Sequence, residues 1–272
     1  MVHSQLSVLR KNRLRELLKQ GKPTVGTHIH SSWPGTMEII GHSGAVDYVE
    51  FMSVDAPYHL YSLDNLAMAS ELFDMSTMIK INAEPKTYLT QRAIGAGFQN
   101  VLFADLRTVK EVEEAVQTVR SEPKGWNGCW GQRIEGYLLE VGTEKFAKYC
   151  DDVVIAVMIE KKSLYDHLED VLNLDGVDMI QFGPCDFSMT LGVRGQTTHP
   201  KVLEAEEKTI KLALKYDKHP RAEVCSTDGF EAALKRYIDL GIRDFCIGMD
   251  VVILYEWVKK YGSITRRAFE EM

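Results

Sequence analysis

The sequence predicts an α/β protein with a (β/α)8 fold, or TIM barrel, preceded by an N-terminal helix. Eight short apolar runs alternate with helical stretches along the chain, which is typical of consecutive parallel βαβ units. The 272 residues are about the length that eight such units need to close a barrel. Because no linker or low-complexity tract divides the chain, residues 1–272 are expected to form a single domain.

The N-terminal helix is indicated by leucines that recur at helical spacing. These residues are Leu6, Leu9, Leu14, Leu17 and Leu18. Gly21 and Pro23 follow them, and both residue types end helices. We therefore expect an amphipathic helix ahead of the first strand.

The eight predicted strands are short and rich in β-branched or aromatic residues, and each is followed by a polar or glycine-containing turn. They cover residues 24–29, 47–52, 77–82, 100–105, 153–160, 178–183, 221–226 and 244–249. Helices are predicted between them, for example at 85–96, 107–120, 162–173, 200–216 and 228–239. Two longer excursions, at 121–149 and 186–199, follow strand ends, where this fold builds its active sites.

The composition excludes several classes of function. A net charge of −7 without a basic stripe argues against nucleic acid as a partner. No stretch reaches roughly 18 uninterrupted apolar residues, so no membrane span is expected, and the N-terminus lacks the apolar core of a signal peptide. The five cysteines have no CxxC spacing, which predicts buried thiols in a reducing compartment. These features together predict a cytoplasmic protein.

Residues that could carry chemistry stand where the predicted strands end, because functional groups of this fold cluster at the carboxyl ends of the strands. In chain order they are His28, His30, Asp55, His59, Lys80, Asp105, Glu160 and Asp186. Glu160 closes the apolar run VVIAVMIE, where a carboxylate is costly unless it is paired or bound to a metal. Asp186 lies in the Gly-Pro turn FGPCDFS.

Two interpretations of this acidic pair are open from spacing alone. Two carboxylates that leave positions for water and substrate oxygens suit Mg²⁺ or Mn²⁺. Alternatively, Glu160 pairs with Lys161 or Lys162, and Asp186 caps the following helix. Spacing by itself slightly favours the second interpretation.

The stretch VMIEKKSLYDHLEDVLNLDGVDMIQFGPCDFSMTLGVRGQTTHP, residues 157–200, carries a more specific signal. It resembles the HpcH/HpaI aldolase family, the metal-dependent class II 2-oxo-acid (pyruvate) aldolases that are grouped with citrate lyase β-like barrels. The matching features are an apolar strand that ends in Glu160, the turn from Gly183 to Asp186, and a later His-Pro. Weaker similarity extends over nearly the whole chain.

The resemblance implies a lyase of the aldolase type. Glu160 and Asp186 would ligate a divalent metal, with Mg²⁺ or Mn²⁺ expected first and Co²⁺, Fe²⁺ or Zn²⁺ as further options. A small 2-oxo acid would chelate the metal, and the turn containing Gly183, Pro184 and Cys185 would bind the substrate carboxylate. The metal would stabilise an enolate while a carbon–carbon bond forms or breaks, with pyruvate as the expected product. The family also implies a homo-oligomer, commonly a hexamer built as a trimer of dimers.

The chain departs from the family pattern around the acid/base part of the site. The departures are Met52 for an Asp, Asp55 for the catalytic His, Lys80 for an Arg, Ala93 for an acidic residue from a neighbouring subunit, Asn127 for an Arg, and His28 for a Trp. We therefore take Asp55, Lys80, His28 and His59 as the candidate catalytic residues. Lys80 is interpreted as a cation that faces the enolate oxygen, with a Schiff-base amine as the alternative.

Three hypotheses follow from these departures. The protein is a 2-oxo-acid aldolase in which Asp55, His28 or His59 handles the proton. Alternatively, it catalyses a different metal-dependent reaction, such as decarboxylation, hydration or hydrolysis, or it binds a metabolite without catalysis. His28 and His30 could also add nitrogen ligands and shift the metal preference towards Fe, Co or Zn, although a role in substrate hydrogen bonding is the favoured interpretation.

Overall fold

The chain folds into a closed barrel of eight parallel strands surrounded by helices. The computed structural model describes residues 9–129, 131–139 and 141–272. The strands neighbour one another in chain order and the last pairs with the first. They are β1 (Thr24–Ile29), β2 (Tyr48–Phe51), β3 (Ser76–Ile81), β4 (Asn100–Phe103), β5 (Val154–Ile159), β6 (Met179–Phe182), β7 (His219–Val224) and β8 (Asp244–Met249). The predicted (β/α)8 fold is confirmed.

The helices cover the outside of the barrel. They are α1 (Arg13–Lys19), α2 (Pro34–Ser43), α3 (Leu60–Ser70), α4 (Lys86–Ala96), α5 (Val109–Val119), α6 (Glu144–Asp152), α7 (Lys162–Tyr165), α8 (Leu168–Leu172), α9 (Pro184–Thr190), α10 (Pro200–Lys215), α11 (Phe230–Asp239) and α12 (Asp250–Glu270). No helix in the described ranges is long and apolar enough to cross a membrane.

The predicted N-terminal helix is present but begins later than the leucine spacing indicated. It starts at Arg13, where the Asn12 side chain accepts from the Arg15 N–H and so caps the first turn. Leu9 therefore precedes the helix, and Leu6 lies outside the described residues. Leu14 and Leu18 are buried and belong to the apolar cluster that fills the barrel interior.

The two sides of the barrel wall have different cores. The outer core lies between strands and helices and contains, for example, Ile79, Val101 and Ile155. The inner cluster includes Tyr48 and Met78, which face the barrel axis. Gly26 makes room for Tyr48, because a Cβ at this position would lie 2.3 Å from the tyrosine ring.

Several predicted elements differ in their boundaries by one or two residues, and two of the differences have a structural explanation. The helix predicted at 162–173 is split into α7 and α8, and the Asp166 carboxylate at the break accepts from Lys162. Strand β7 begins two residues before its prediction and includes Pro220. Pro220 precedes the first β7–β8 pair, which joins Arg221 to Asp244, so its missing N–H removes no bond of that ladder.

Candidate active site

A cavity of about 330 Å³ opens at the carboxyl ends of the barrel strands. Its wall includes charged and thiol groups that could perform chemistry, among them Lys80, Glu160, Asp186, Glu223 and Cys225. The cavity also extends between β6, β7 and the helices α10 and α11, where Ile180, Ile210 and Ala222 line it. Ile180 and Pro220, which are partners in the β6–β7 ladder, both line this extension.

Glu160 follows β5 and is 5% exposed. Its Oε1 accepts the backbone N–H of Asp105 at 2.6 Å, and no described residue donates to its Oε2. Burial raises the pKa of Glu160, and the nearby charge of Asp186 acts in the same direction, whereas the Asp105 N–H and Lys80 oppose the shift. A divalent cation stabilises a buried carboxylate that has little compensating positive charge nearby.

Asp186 lies in the first turn of α9 and its side chain is half exposed. Its Oδ1 contacts the Lys161 ammonium at 2.8 Å, and the same ammonium lies 2.8 Å from Asp105 Oδ1. Lys162 instead pairs with Asp166. Lys161 therefore pairs with Asp105 and Asp186 rather than with Glu160. Glu160 and Asp186 both present carboxylate oxygens, which suit a hard cation, to the cavity.

The turn between Gly183 and Asp186 offers fewer donors than the sequence suggested. The Gly183 N–H donates to the Ile159 carbonyl at 3.0 Å, and Pro184 has no N–H. The N–H groups of Cys185 and Asp186 have no acceptor among the described residues, as is usual in the first turn of a helix. These two N–H groups are the ones available to an anionic ligand.

A glycine is required at position 183 because the side chain of Glu160 approaches it closely. A Cβ on Gly183 would lie 2.8 Å from the Glu160 Cβ and 2.9 Å from its Oε2. The side chain of Glu160 can occupy its position at the cavity because residue 183 has no side chain of its own.

Replacing Gly183 with alanine is expected to displace the Glu160 carboxylate and to weaken divalent-metal binding by about tenfold or more, since roughly 1.4 kcal/mol suffices for that loss. Isothermal titration with Mn²⁺ measures the change. Gly262→Ala is the matched control, because nothing lies within 4 Å of its added methyl group. Equal Mn²⁺ affinity in Gly183→Ala and the control contradicts this role.

Lys80 lies on β3 and lines the cavity. Its positive charge lowers the pKa of both Glu160 and Glu223, so the ammonium stands close to two carboxylates on different sides of the barrel. Met52 takes part in the same wall and contributes an apolar surface. Lys80 is therefore in the region where the sequence placed a cation.

The two histidines after the first strand have separate environments. His28 is buried inside the barrel, where its Nε2 lies 3.1 Å from Arg221 Nη2. His30 lies beside Asp250 at the start of α12, with its Nδ1 3.6 Å from Asp250 Oδ1. The structure does not bring these two rings together with Glu160 and Asp186 at the cavity wall.

Asp55 and His59 are exposed and are absent from the cavity wall. Asp55 lies in the turn after β2, where its N–H donates to the Met52 carbonyl. His59 precedes α3 and lines a separate surface depression with Tyr58 and Tyr88. Catalytic roles for Asp55 and His59 remain predictions that this geometry does not favour.

The sequence interpretation missed three charged residues inside the barrel: Glu50, Arg221 and Glu223. The sequence contains a signal for these three residues. Arg221 and Glu223 are two residues apart on one strand and so face the same side, and Glu50 lies within the short apolar run DYVEFM. Ala93 and Asn127, two of the positions that depart from the family, are buried away from the cavity wall.

Known proteins resemble this chain over most of its length. The family model described as HpcH/HpaI aldolase/citrate lyase matches residues 25–219. A hydroxypyruvate/pyruvate aldolase of Roseobacter denitrificans is 26% identical over 257 residues, which cover 93% of this chain and 96% of that protein. A 4-hydroxy-2-oxo-heptane-1,7-dioate aldolase of Escherichia coli is 24% identical over 244 residues, covering 90% and 91%.

The fold is shared with solved structures as well. The crystal structure of an HpcH/HpaI aldolase from Desulfitobacterium hafniense superposes with a TM-score of 0.84 at 22% identity, covering 96% of this chain and 98% of that one. The family match spans well over half of the 272 residues. The chain belongs to the HpcH/HpaI aldolase/citrate lyase family.

Proposed function

We propose that the protein is a divalent-metal-dependent carbon–carbon lyase of the aldolase type, which acts on a small 2-oxo acid and forms pyruvate. The observation that carries this proposal is the convergence of Glu160, Asp186 and Lys80 on one cavity at the carboxyl end of the barrel. Family membership and two relatives named as aldolases support the same class of reaction.

Glu160 and Asp186 would hold the metal, with Mg²⁺ or Mn²⁺ as the first expectation. A cation bound there supplies Lewis acidity towards the keto oxygen of a 2-oxo acid. The N–H groups of Cys185 and Asp186 would donate to the substrate carboxylate, and Lys80 would face the oxygen that gains negative charge as the enolate forms. The low-polarity surface of Met52 would limit water at the reacting carbon.

Pyruvate release from a panel of 4-hydroxy-2-oxo acids tests this function. We expect turnover that EDTA abolishes and that added Mg²⁺ or Mn²⁺ restores. Absence of metal-dependent turnover across the panel contradicts an aldolase. Metal analysis of the purified protein identifies the ion, and iron or zinc in place of Mg²⁺ or Mn²⁺ favours a different metal-dependent reaction.

A second candidate function is a different metal-dependent reaction on a 2-oxo acid, such as decarboxylation, hydration or hydrolysis. The observation that favours it is the exposed position of Asp55, which replaces the histidine of the family pattern and is absent from the cavity wall. Detection of carbon dioxide, or of a product with an intact carbon chain, distinguishes these reactions from aldol cleavage. A protein that binds the metal and the 2-oxo acid without turning it over would be a metabolite binder.

We further propose a homo-oligomer, with a trimer of dimers as the expected form. No residue of α12 is buried. The helix exposes large apolar side chains, including Leu254, Trp257 and Phe269, which are 65%, 62% and 68% exposed. Exposed large apolar side chains of this kind are typical of a protein interface, and a second copy of the same helix offers a complementary face.

Replacing both Leu254 and Trp257 with aspartate is expected to shift the protein to a smaller species, because two charges would then be buried in the interface. Sedimentation velocity measures the change in mass. Glu270→Ala, on the same helix and also exposed, is the control. A wild-type protein that sediments as a monomer contradicts the proposed assembly.

A further inference from the structure

A buried ionic cluster lies inside the barrel next to the cavity. The side chains of His28, Glu50 and Arg221 are all 0% exposed. The Arg221 guanidinium forms an ion pair with Glu50, and its Nη1 lies 3.0 Å from Met78 Sδ. Burying such a group of charges carries a large desolvation cost. We therefore expect the cluster to have a role beyond packing.

The contacts of His28 determine where its ring carries a proton. Arg221 Nη2 lies 3.1 Å from His28 Nε2, and a guanidinium has only donors. His28 Nε2 must therefore accept, which assigns the ring proton to Nδ1. Nδ1 is buried without a hydrogen-bond partner in the described chain, and it lies 3.5 Å from Glu223 Oε1. The protonated ring nitrogen thus lies next to the Glu223 carboxylate, at charge-contact distance and without a hydrogen bond to it.

Glu223 connects this cluster to the cavity. Its Oε2 accepts from Gln181 Nε2 at 2.9 Å, and its Oε1 accepts from the Cys225 thiol at 3.0 Å. The side chain is 29% exposed and lines the cavity together with Lys80 and Glu160. Burial raises the pKa of Glu223, whereas the hydrogen bond from the Cys225 thiol and the positive charges of Arg221 and Lys80 lower it.

We infer that Glu223 is the residue that accepts and returns the proton in the proposed reaction, and that His28 is its positioning residue. This inference rests on the proposed function. The other carboxylates of the cavity wall have other partners. Glu160 and Asp186 are the proposed metal ligands, and Glu206 is held by Arg236 and Tyr237.

The proton movements balance without a co-reactant. In cleavage of a 4-hydroxy-2-oxo acid, Glu223 accepts the proton of the C4 hydroxyl group as the C3–C4 bond breaks. The electron pair of that bond forms the C2–C3 double bond, and the C2 carbonyl pair moves to oxygen, which gives an aldehyde and an enolate. The protonated Glu223 then returns the same proton to C3, which gives the 2-oxo acid and restores the carboxylate.

The donor atoms of His28, Glu223 and Cys225 lie within 4.8 Å of one another and so could also suggest a metal site. A metal there needs the lone pair of His28 Nδ1. With Nε2 already accepting from Arg221, the ring would have to lose both protons. The tautomer therefore favours a proton-transfer role for Glu223 over metal ligation.

Exchange of the pyruvate methyl protons for solvent deuterium tests the inference. The reaction is run in D₂O with Mg²⁺ present, is followed by proton NMR, and needs no aldehyde partner. We expect Glu223→Gln to slow exchange by about a hundredfold or more, with unchanged metal content and thermal midpoint. Glu204→Gln, on the exposed face of α10, is the matched control. Glu223→Asp keeps the charge on a shorter side chain and is expected to retain part of the rate. His28→Asn is expected to lower kcat with little change in KM.

Other results of these experiments would contradict the inference, or the inference together with the proposed function. Exchange by Glu223→Gln at the wild-type rate overturns the inference while leaving the proposed function intact. If Glu223→Gln loses its metal ion, Glu223 is a metal ligand and the inference is overturned. The inference is also overturned if Asp55→Asn loses exchange while Glu223→Gln retains it. Absence of exchange in the wild-type protein refutes the proposed function together with the inference.

Discussion

Glu160→Gln is expected to reduce metal-dependent pyruvate release by roughly a thousandfold, equivalent to about 4 kcal/mol of transition-state stabilisation. The amide keeps the shape of the side chain, and its oxygen can still accept the Asp105 N–H that Glu160 Oε1 accepts at 2.6 Å. The fold around β5 is therefore preserved, while the negative charge that would attract the cation is removed.

Steady-state kinetics and metal content, measured on the same preparation, test this prediction. Glu204→Gln makes the same chemical change on the exposed face of α10 and is expected to behave as the wild type. Raising the Mn²⁺ concentration should recover part of the activity if the loss arises from weaker binding. A Glu160→Gln protein that retains both its metal and its activity contradicts the assignment of Glu160 as a ligand.

The fold was predictable because barrel strands carry strong local signals. The strand of residues 24–29 was predicted at its observed boundaries, and the run VVIAVMIE contains β5 with one residue to spare at each end. Helix α9 was missed because five of its seven residues lie within the excursion at 186–199, which lacks a clear apolar period. Helix α6 was missed for a similar reason, since it begins inside the excursion at 121–149.

The site was predictable where a strand end alone determines the position of a side chain. Glu160 and Lys80 reach the cavity because they stand at or near the ends of β5 and β3. Asp55 was placed by the same rule, but the turn after β2 leads it outward and Met52 occupies the wall instead. A turn conformation depends on contacts that strand spacing does not encode.

The partners of Arg221 could not be predicted from the sequence. Its pairing with Glu50 joins β7 to β2 across the barrel interior. Two such residues meet only if the stagger of the strands brings them to the same height, and stagger is a property of the closed sheet. Alternation within β7 indicates that Arg221 and Glu223 share a face, but it does not identify what stands opposite them.

Arg221→Met is expected to lower the free energy of unfolding by about 3–5 kcal/mol, because Glu50 would then be a buried charge without its partner. Both side chains are 0% exposed, so water cannot replace the lost ion pair. Replacing Glu50 with leucine in the same chain should recover most of this loss, since apolar side chains of similar volume often replace a buried ion pair at little cost. Urea unfolding at a fixed protein concentration measures all three variants, and Lys235→Met, at an exposed ion pair, is the control.

The double variant also separates stability from function. Without Arg221, His28 Nε2 loses the donor at 3.1 Å that directs the ring proton to Nδ1, next to Glu223. We therefore expect a protein about as stable as the wild type in which exchange of the pyruvate methyl protons is slow. Recovery of both stability and exchange would mean that the cluster only fills space. Recovery of stability alone would show that the buried charges are retained because they orient His28, and through it the Glu223 carboxylate.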